Sequence, residues 1–414
     1  MVLLLALVAA SKQAKALRIA DRGNQLRPYI YFTFVFFTWI CINDLANGTL
    51  AASESGGRGY VLDFVAKRIV PVLFLYCSVV LINRKHELEF IVACLTCVVG
   101  LSCIVAVLQY FNVPIARQLH EMFHPIWHQQ LAAGIIDIYS DYDDQAVSGL
   151  STFSVTFAYT ILVTAPFALT LAFFSRFGSL VQVASISFCV LAVVCLFLCR
   201  SRSGVVGAGL SCASLAVIAS MSFPEVNTRK FVQFTLMGGL IAGMVYLFLP
   251  FFSSESTVKY ENFSKFETFL DTERFEFYPI AAGEILEHPI IGMGALPFSE
   301  KYTIVPHNTF LNAGIYYGIL GGLIVAALHL YIAKYLWGMI RRKRPLLTTS
   351  WLTVGAQIAL INYIWNGMTH NESVVTGGHI FYIAVSLMVT SGLLEIHEHS
   401  TASAHASEVD TISE

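Results

Sequence analysis

Residues 149–222 read GLSTFSVTFAYTILVTAPFALTLAFFSRFGSLVQVASISFCVLAVVCLFLCRSRSGVVGAGLSCASLAVIASMS. Three apolar blocks are visible, near 149–174, 180–199 and 204–222, and the charges of the whole stretch are Arg176, Arg200 and Arg202. A helix needs about 20 mostly apolar residues to cross a bilayer, and each block has that length. The blocks lack strict alternation and far exceed the roughly 10 residues of a barrel strand. In lipid every backbone polar group must be paired internally, so three consecutive spanning helices remain. This stretch predicts an all-α, polytopic integral membrane protein.

Outward from it the same pattern recurs near 29–45, 69–83, 88–112, 231–250, 309–335, 351–367 and 378–394, and residues 1–10 add a short apolar stub. The stub has no positively charged segment before it and no cleavage-site pattern, so it reads as helix rather than signal peptide. The count is eleven spans. Of the 414 residues, 56% are hydrophobic and 13% charged. A soluble domain carries roughly 25% charged residues, which excludes a soluble enzyme and a disordered chain. The 25 Lys and Arg against 27 Asp and Glu offer no basic face for nucleic acid. Nine cysteines all lie in apolar stretches, including a C-x-x-C at Cys94 and Cys97. They read as small packing residues rather than a disulfide or zinc framework.

Lysine and arginine in the connections set the orientation. Lys12, Lys15, Arg18, Arg22 and Arg27, then Arg84 and Lys85, Arg176, Arg229 and Lys230, and Lys334 with Arg341–Arg344 alternate correctly with the spans and mark the cytoplasmic side. The tail from Glu395 falls there too, and its small, polar composition (395–414) predicts disorder. Parity places the first residue outside, which predicts a further helix upstream and about twelve in all. Residues 1–394 are expected to form one transmembrane domain. The opposite side carries the loops 46–68, 113–148, 200–203, 251–308 and 368–377, which are acidic overall.

Four arginines stand at span ends on that outer side: Arg68, Arg200, Arg202 and Arg274. Arginine at a membrane boundary is costly, and its guanidinium fork matches phosphate oxygens bidentately. In the hairpin Cys199-Arg200-Ser201-Arg202-Ser203-Gly204 the hydroxyls of Ser201 and Ser203 add donors. The bland alternative for these arginines is anchoring by snorkelling. Further along, Pro306-His307-Asn308 precedes the span starting at Thr309. Asn308 is a good N-cap, so His307 is expected at a helix N-terminus, where the dipole favours anions. Histidine is also the side chain best suited to take a proton near neutral pH. Gly292 and Gly294 predict tight turns in the preceding loop.

His120-Glu121-Met122-Phe123-His124 is formally the H-E-x-x-H zinc-protease pattern. Pro125 directly after it opposes the stable helix that would stack the two histidines, and no third ligand stands at a suitable spacing. The stretch 114–135 reads instead as an amphipathic helix in the outer interface. Asp141-Tyr142-Asp143-Asp144 superficially resembles a metal-binding cluster but reads as a solvated loop. No metal and no other cofactor is expected.

Taken in order, these pieces resemble the O-antigen ligase/polymerase superfamily of bacterial envelope glycan transferases. The resemblance rests on Gly149-Leu150-Ser151-Thr152-Phe153 opening a span, on Ser201-Arg202-Ser203, and on Glu273-Arg274 followed by His288 to Gly294. It ends with His307-Asn308, nine residues, and Gly318-Ile319-Leu320-Gly321. The set is densest over 149–321. It implies transfer of a glycan from undecaprenyl diphosphate to an acceptor hydroxyl at the periplasmic face of the inner membrane, without metal or nucleotide sugar. The acceptor is lipid A–core in a ligase, or a second lipid-linked glycan in a polymerase. By the same resemblance Arg202 and Arg274 hold the diphosphate and His307 acts at the acceptor hydroxyl. Arg68, Arg200, Ser201, Ser203 and Asn308 are expected to bind substrate. A lipid or solute transporter is the rival class, and it predicts ionisable residues near the membrane midplane, where this sequence has almost none.

Overall fold

The computed structural model describes residues 19–48, 61, 64–125, 147–151, 153–174, 179–199, 201–223, 273–294, 297–298, 301–302, 308–343, 347, 349–369 and 379–412. Among these residues there are helices and no strands. Seven helices among the described residues are long and apolar enough to cross a membrane, so the all-α polytopic reading holds. The stretches 1–10 and 231–250 lie outside the described residues.

In chain order the helices are α1 (Ile19–Ala46), α2 (Val70–Leu81), α3 (Lys85–Tyr110), α4 (Pro114–Phe123), α5 (Ser154–Phe174), α6 (Ser179–Leu198), α7 (Arg202–Ser222), α8 (Glu273–Glu287), α9 (Thr309–Arg341), α10 (Ser350–Thr369) and α11 (His379–Ile412). A π-helical turn, Val65–Ile69, leads into α2. The chain divides into two compact units. One holds α1, the π turn, α2, α8, α9, the end of α10 and the first part of α11; the other holds α3 to α7, the rest of α10 and the end of α11.

In the first unit α9 packs against α1 and α8, and α1 packs against α2. The seam between α1 and α9 is aromatic, with Phe36 edge-on to Tyr317 and Tyr29 edge-on to Tyr331. In the second unit α5 is the central helix, packed by α3, α6 and α7. It tolerates Pro166 because the Leu162 carbonyl, which the proline leaves without its helical N–H, is taken up by Asn362 of α10. Thr170 Oγ1 sits 2.9 Å from both the Pro166 and Trp351 carbonyls. The first part of α10 is less apolar than the other spans because it faces protein. Gln357 and Asn362 are fully buried, and Asn362 Nδ2 donates to the Leu162 carbonyl (2.7 Å) and Ser211 Oγ (2.8 Å).

One expectation is corrected. The tail read as disordered from residue 395 is helical to Ile412. It contains no proline or glycine, and a helix already nucleated in the membrane propagates at one hydrogen bond per residue. Its first turns are also anchored: Ser350 Oγ donates to Glu395, and the Thr349 N–H donates to Glu398, both at 3.2 Å. Of the amphipathic segment expected over 114–135, Pro114–Phe123 is helix α4, His124 interrupts it and Pro125 is helical again. Helix α4 buries Ala116 and His120 and exposes Ile115, Met122 and Phe123. The remainder from 126 lies outside the described residues.

Candidate functional site

The span containing His307-Asn308 at its head is not one continuous helix. Asn308 caps α9 as its sequence predicts, its Oδ1 accepting from Phe310 N–H (2.9 Å) and Leu311 N–H (3.2 Å). Three turns on, Gly318 adopts φ 71° and ψ −177° and breaks the helix. A break in lipid releases backbone groups that must find partners. They find them in the segment after α8. Met293 N–H donates to the Ile315 carbonyl (2.7 Å), and Ile319 N–H donates to the Pro289 carbonyl (2.9 Å). The Tyr317 carbonyl accepts from Trp39 Nε1 on α1 (2.8 Å).

Residues 289–294 therefore lie as a plug in the notch of α9, and α1 holds the plug in place. Gly292 N–H donates to Asn43 Oδ1 (3.1 Å), and the Gly292 carbonyl accepts from Asn47 Nδ2 (2.9 Å). The two glycines of the 288–294 run have different duties. Gly294 has φ 86° and makes a turn. Gly292 is needed for close approach: a Cβ there would overlap the backbone of Tyr316, Tyr317 and Gly318.

In the last turn of α8, ahead of the plug in sequence, Glu284 is 5% exposed, and its Oε1 accepts from Lys301 Nζ and the Tyr302 hydroxyl. The Lys301 ammonium, then the Tyr302 hydroxyl, hold the Glu284 carboxyl below the usual carboxylate range. This tie is therefore kept at ordinary carboxylate pKa values and released only as pH falls through the depressed one. Tyr302 in turn belongs to an aromatic cluster: Phe277 stands edge-on to Phe298 and Tyr302, and Phe298 edge-on to Tyr316. Tyr302 and Asn308 are thus fixed on either side of His307, which lies outside the described residues.

Arg274 stands in the first turn of α8, with its side chain outside the description. Arg68 sits in the π turn and is buried, within electrostatic reach of the Tyr317 and Tyr382 hydroxyls. Tyr317 directly precedes the notch, so Arg68, Asn308, α8 and the plug belong to one unit. π turns of this kind recur at functional sites.

The second unit holds the serine–arginine turn. Ser201 is the N-cap of α7, its Oγ accepting from Gly204 N–H (3.1 Å) and lying 3.3 Å from Ser203 Oγ. Arg202 opens α7, and its side chain is outside the description, as is all of Arg200. The Gly149 segment is gripped by residues the sequence reading passed over. Gln109 Oε1 accepts from Ser148 N–H (3.1 Å) and Gly149 N–H (2.9 Å), and Ser102 Oγ accepts from Leu150 N–H (2.8 Å). Two polar residues on one face of an apolar span were the available signal.

The H-E-x-x-H histidines serve the same segment. His120 Nε2 donates to the Ser151 carbonyl (2.9 Å) and His124 Nε2 to the Leu150 carbonyl (2.8 Å). Glu121 pairs with Arg117 on the exposed face. The Nε2 atom of each ring is thus committed to a carbonyl and unavailable to zinc, which supports an anchoring role. His120→Ala is expected to leave a carbonyl unpaired and lower unfolding stability by about 1–3 kcal/mol. Glu121→Ala should stay within about 0.5 kcal/mol. Denaturant titration of the detergent-solubilised protein measures both. The Asp141–Asp144 cluster lies outside the described residues.

No curated protein matches the chain. Residues 187–326 match the family model for O-antigen ligase, a stretch that takes in the serine–arginine turn, α8, the plug, the Asn308 cap and the notch of α9. Over that stretch the apolar, many-helix chain is similar to the O-antigen ligase family of membrane glycosyltransferase-like enzymes.

Proposed function

We propose that this protein transfers a glycan from undecaprenyl diphosphate to an acceptor hydroxyl at the periplasmic face of the bacterial inner membrane, as an O-antigen ligase with lipid A–core as acceptor. The observation that carries this reading is the plug in the notch of α9. A transferase without a covalent or metal-bound intermediate works by placing its groups. Plug, Asn308 cap and Glu284 tie hold the nearest described residues before and after His307, Tyr302 and Asn308.

The chemistry needs little else. The lipid diphosphate already carries its charge and departs once that charge is neutralised, the task assigned to Arg202 and Arg274, with Arg68 and Arg200 adding to the field. Ser201 and Ser203 contribute hydroxyls beside the diphosphate. His307 takes the proton of the acceptor hydroxyl, and direct attack inverts the anomeric centre. Asn308 supports His307 by capping the helix behind it. Basic connections on one side and acidic ones on the other support the orientation.

A deletion strain examined by polysaccharide gel tests the reaction. Free long-chain polymer beside bare core is the expected result. Core bearing a single repeat would identify a polymerase instead, since the His-Asn and G-x-x-G elements serve both reactions. Reconstituted protein that translocates lipid-linked glycan without forming a glycosidic bond would remove the transferase reading. Transfer is further expected to continue in excess EDTA; loss restored by Mn²⁺ would place a metal in the chemistry.

Lysine replacements probe the clamp. Arg202→Lys and Arg274→Lys should each keep the charge and recover only part of the activity lost in the alanine variants, because an ammonium cannot make the bidentate fork. Wild-type transfer by Arg202→Ala at normal protein level would exclude that residue from the clamp.

A further inference from the structure

We propose that Glu284, Glu287 and His288, at the C-terminal end of α8, hold a divalent cation of the zinc class. Glu287 and His288 follow Glu284 by one helical turn, and one potential ligand atom from each of the three falls within 4.8 Å of the others. Two carboxylate oxygens and one imidazole nitrogen form a donor set suited to Zn²⁺, with water completing the shell.

A group of acids at a helix end is common, and two further observations single this one out. The first is the state of Glu284. Lys301 and Tyr302 both engage its Oε1, while Oε2 is buried without a hydrogen-bond partner. A buried carboxylate oxygen with no partner is costly, and a cation is the partner its charge calls for. The second is position. Carboxylates at the C-terminal end of a helix meet the negative pole of its dipole, which disfavours Glu284 and Glu287 there unless positive charge compensates. Glu287 and His288 are exposed, so an ion reaches Glu284 from solvent through them.

The opposing charge is Lys301, which sits on the other oxygen of the same carboxylate. It weakens the site without blocking it. His288 immediately precedes Pro289, whose carbonyl completes the notch of α9. An ion held at His288 would therefore stiffen the junction between α8 and the plug. The ion takes no part in the transfer chemistry itself, and its binding is measured without reference to activity, so the proposal stands or falls separately from the proposed function.

The test uses purified full-length protein in detergent, stripped with chelator and then titrated with Co²⁺ and Zn²⁺. A visible d–d spectrum with Co²⁺ and a rise in unfolding temperature with Zn²⁺ are expected. Glu287→Gln and His288→Ala, both exposed and so not required for folding, should each weaken Co²⁺ binding by roughly tenfold or more. Lys301→Met should tighten it, because the like charge is gone. Absence of both the spectrum and the thermal shift would overturn the proposal. So would binding that persists unchanged in the Glu287→Gln, His288→Ala double variant, since the metal would then sit on other histidines. Lys301→Met leaving the affinity unchanged would also count against a site containing Glu284.

Discussion

Replacing His307 with alanine is expected to cut transfer by roughly 10²–10⁴-fold, while the protein still inserts and still binds its lipid-linked donor. The expectation separates chemistry from binding. Donor affinity is assigned to the arginines, which this variant leaves intact. The proton of the acceptor hydroxyl is assigned to the imidazole, which it removes. In the unmodified protein the rate should rise with pH as the imidazole loses its proton, because the neutral form is the base. His307→Ala should flatten that limb of the profile. The measurements are single-turnover transfer and donor binding on the same membranes. Retained transfer would dismiss His307 as the base. Lost transfer accompanied by lost donor binding would make it a diphosphate ligand, a role that suits an imidazole at a helix N-terminus.

The second large effect is expected at the notch. Gly318→Ala places a Cβ on a residue with φ 71°, and that Cβ would overlap the Ile290 carbonyl. Gly292→Ala would push into the backbone of Tyr316–Gly318 from the other side. At Gly318 the pair φ 71°, ψ −177° lies in a region essentially reserved for glycine, which costs another residue about 1–3 kcal/mol, and overpacking adds about 1–3 kcal/mol. Neither clash can be relieved by turning a side chain, because the obstacle is main chain. Both variants should lose the plug's docking and nearly all transfer, with reduced yield of folded protein. Gly283→Ala is the control. It lies on α8 with nothing within 4 Å of its added methyl, and it should be neutral or stabilise by up to about 1 kcal/mol. Equal loss in all three would mean that backbone geometry at the notch is not the cause.

Much of this architecture was legible in the sequence. Spans show themselves because lipid demands length and hydropathy, and α3, α5, α6, α7 and α9 each begin within five residues of their apolar blocks. The Asn308 cap was legible too, since a side-chain oxygen ahead of an apolar run is a local signal. The notch was not. Glycines are common in membrane helices and Gly318 reads as one more small residue within an unbroken span. What opens the helix there is a partner segment ending 24 residues upstream, and no local propensity encodes it. Gln109 and Ser102 escaped notice for the same reason: their partners are the main-chain groups of 148–150, some 40 residues further along. The H-E-x-x-H pattern shows the converse. The spelling was visible, and its meaning lay in the carbonyls that the two rings meet.

Trp39, Asn43 and Asn47 recur every fourth residue along one stripe at the end of α1, and each of them contacts the notch of α9 or the Gly292 peptide lodged in it. The stretch that matches the ligase family begins well over a hundred residues later. A transplant of residues 187–326 into a relative's scaffold would therefore carry the keyhole and the key but leave behind the hand that keeps the key turned. Chimeras built on the boundaries of the family match should fail unless the residues facing Gly292 travel with them, and restoring a tryptophan and two asparagines at that spacing on the host's first helix is the smallest change that should recover them.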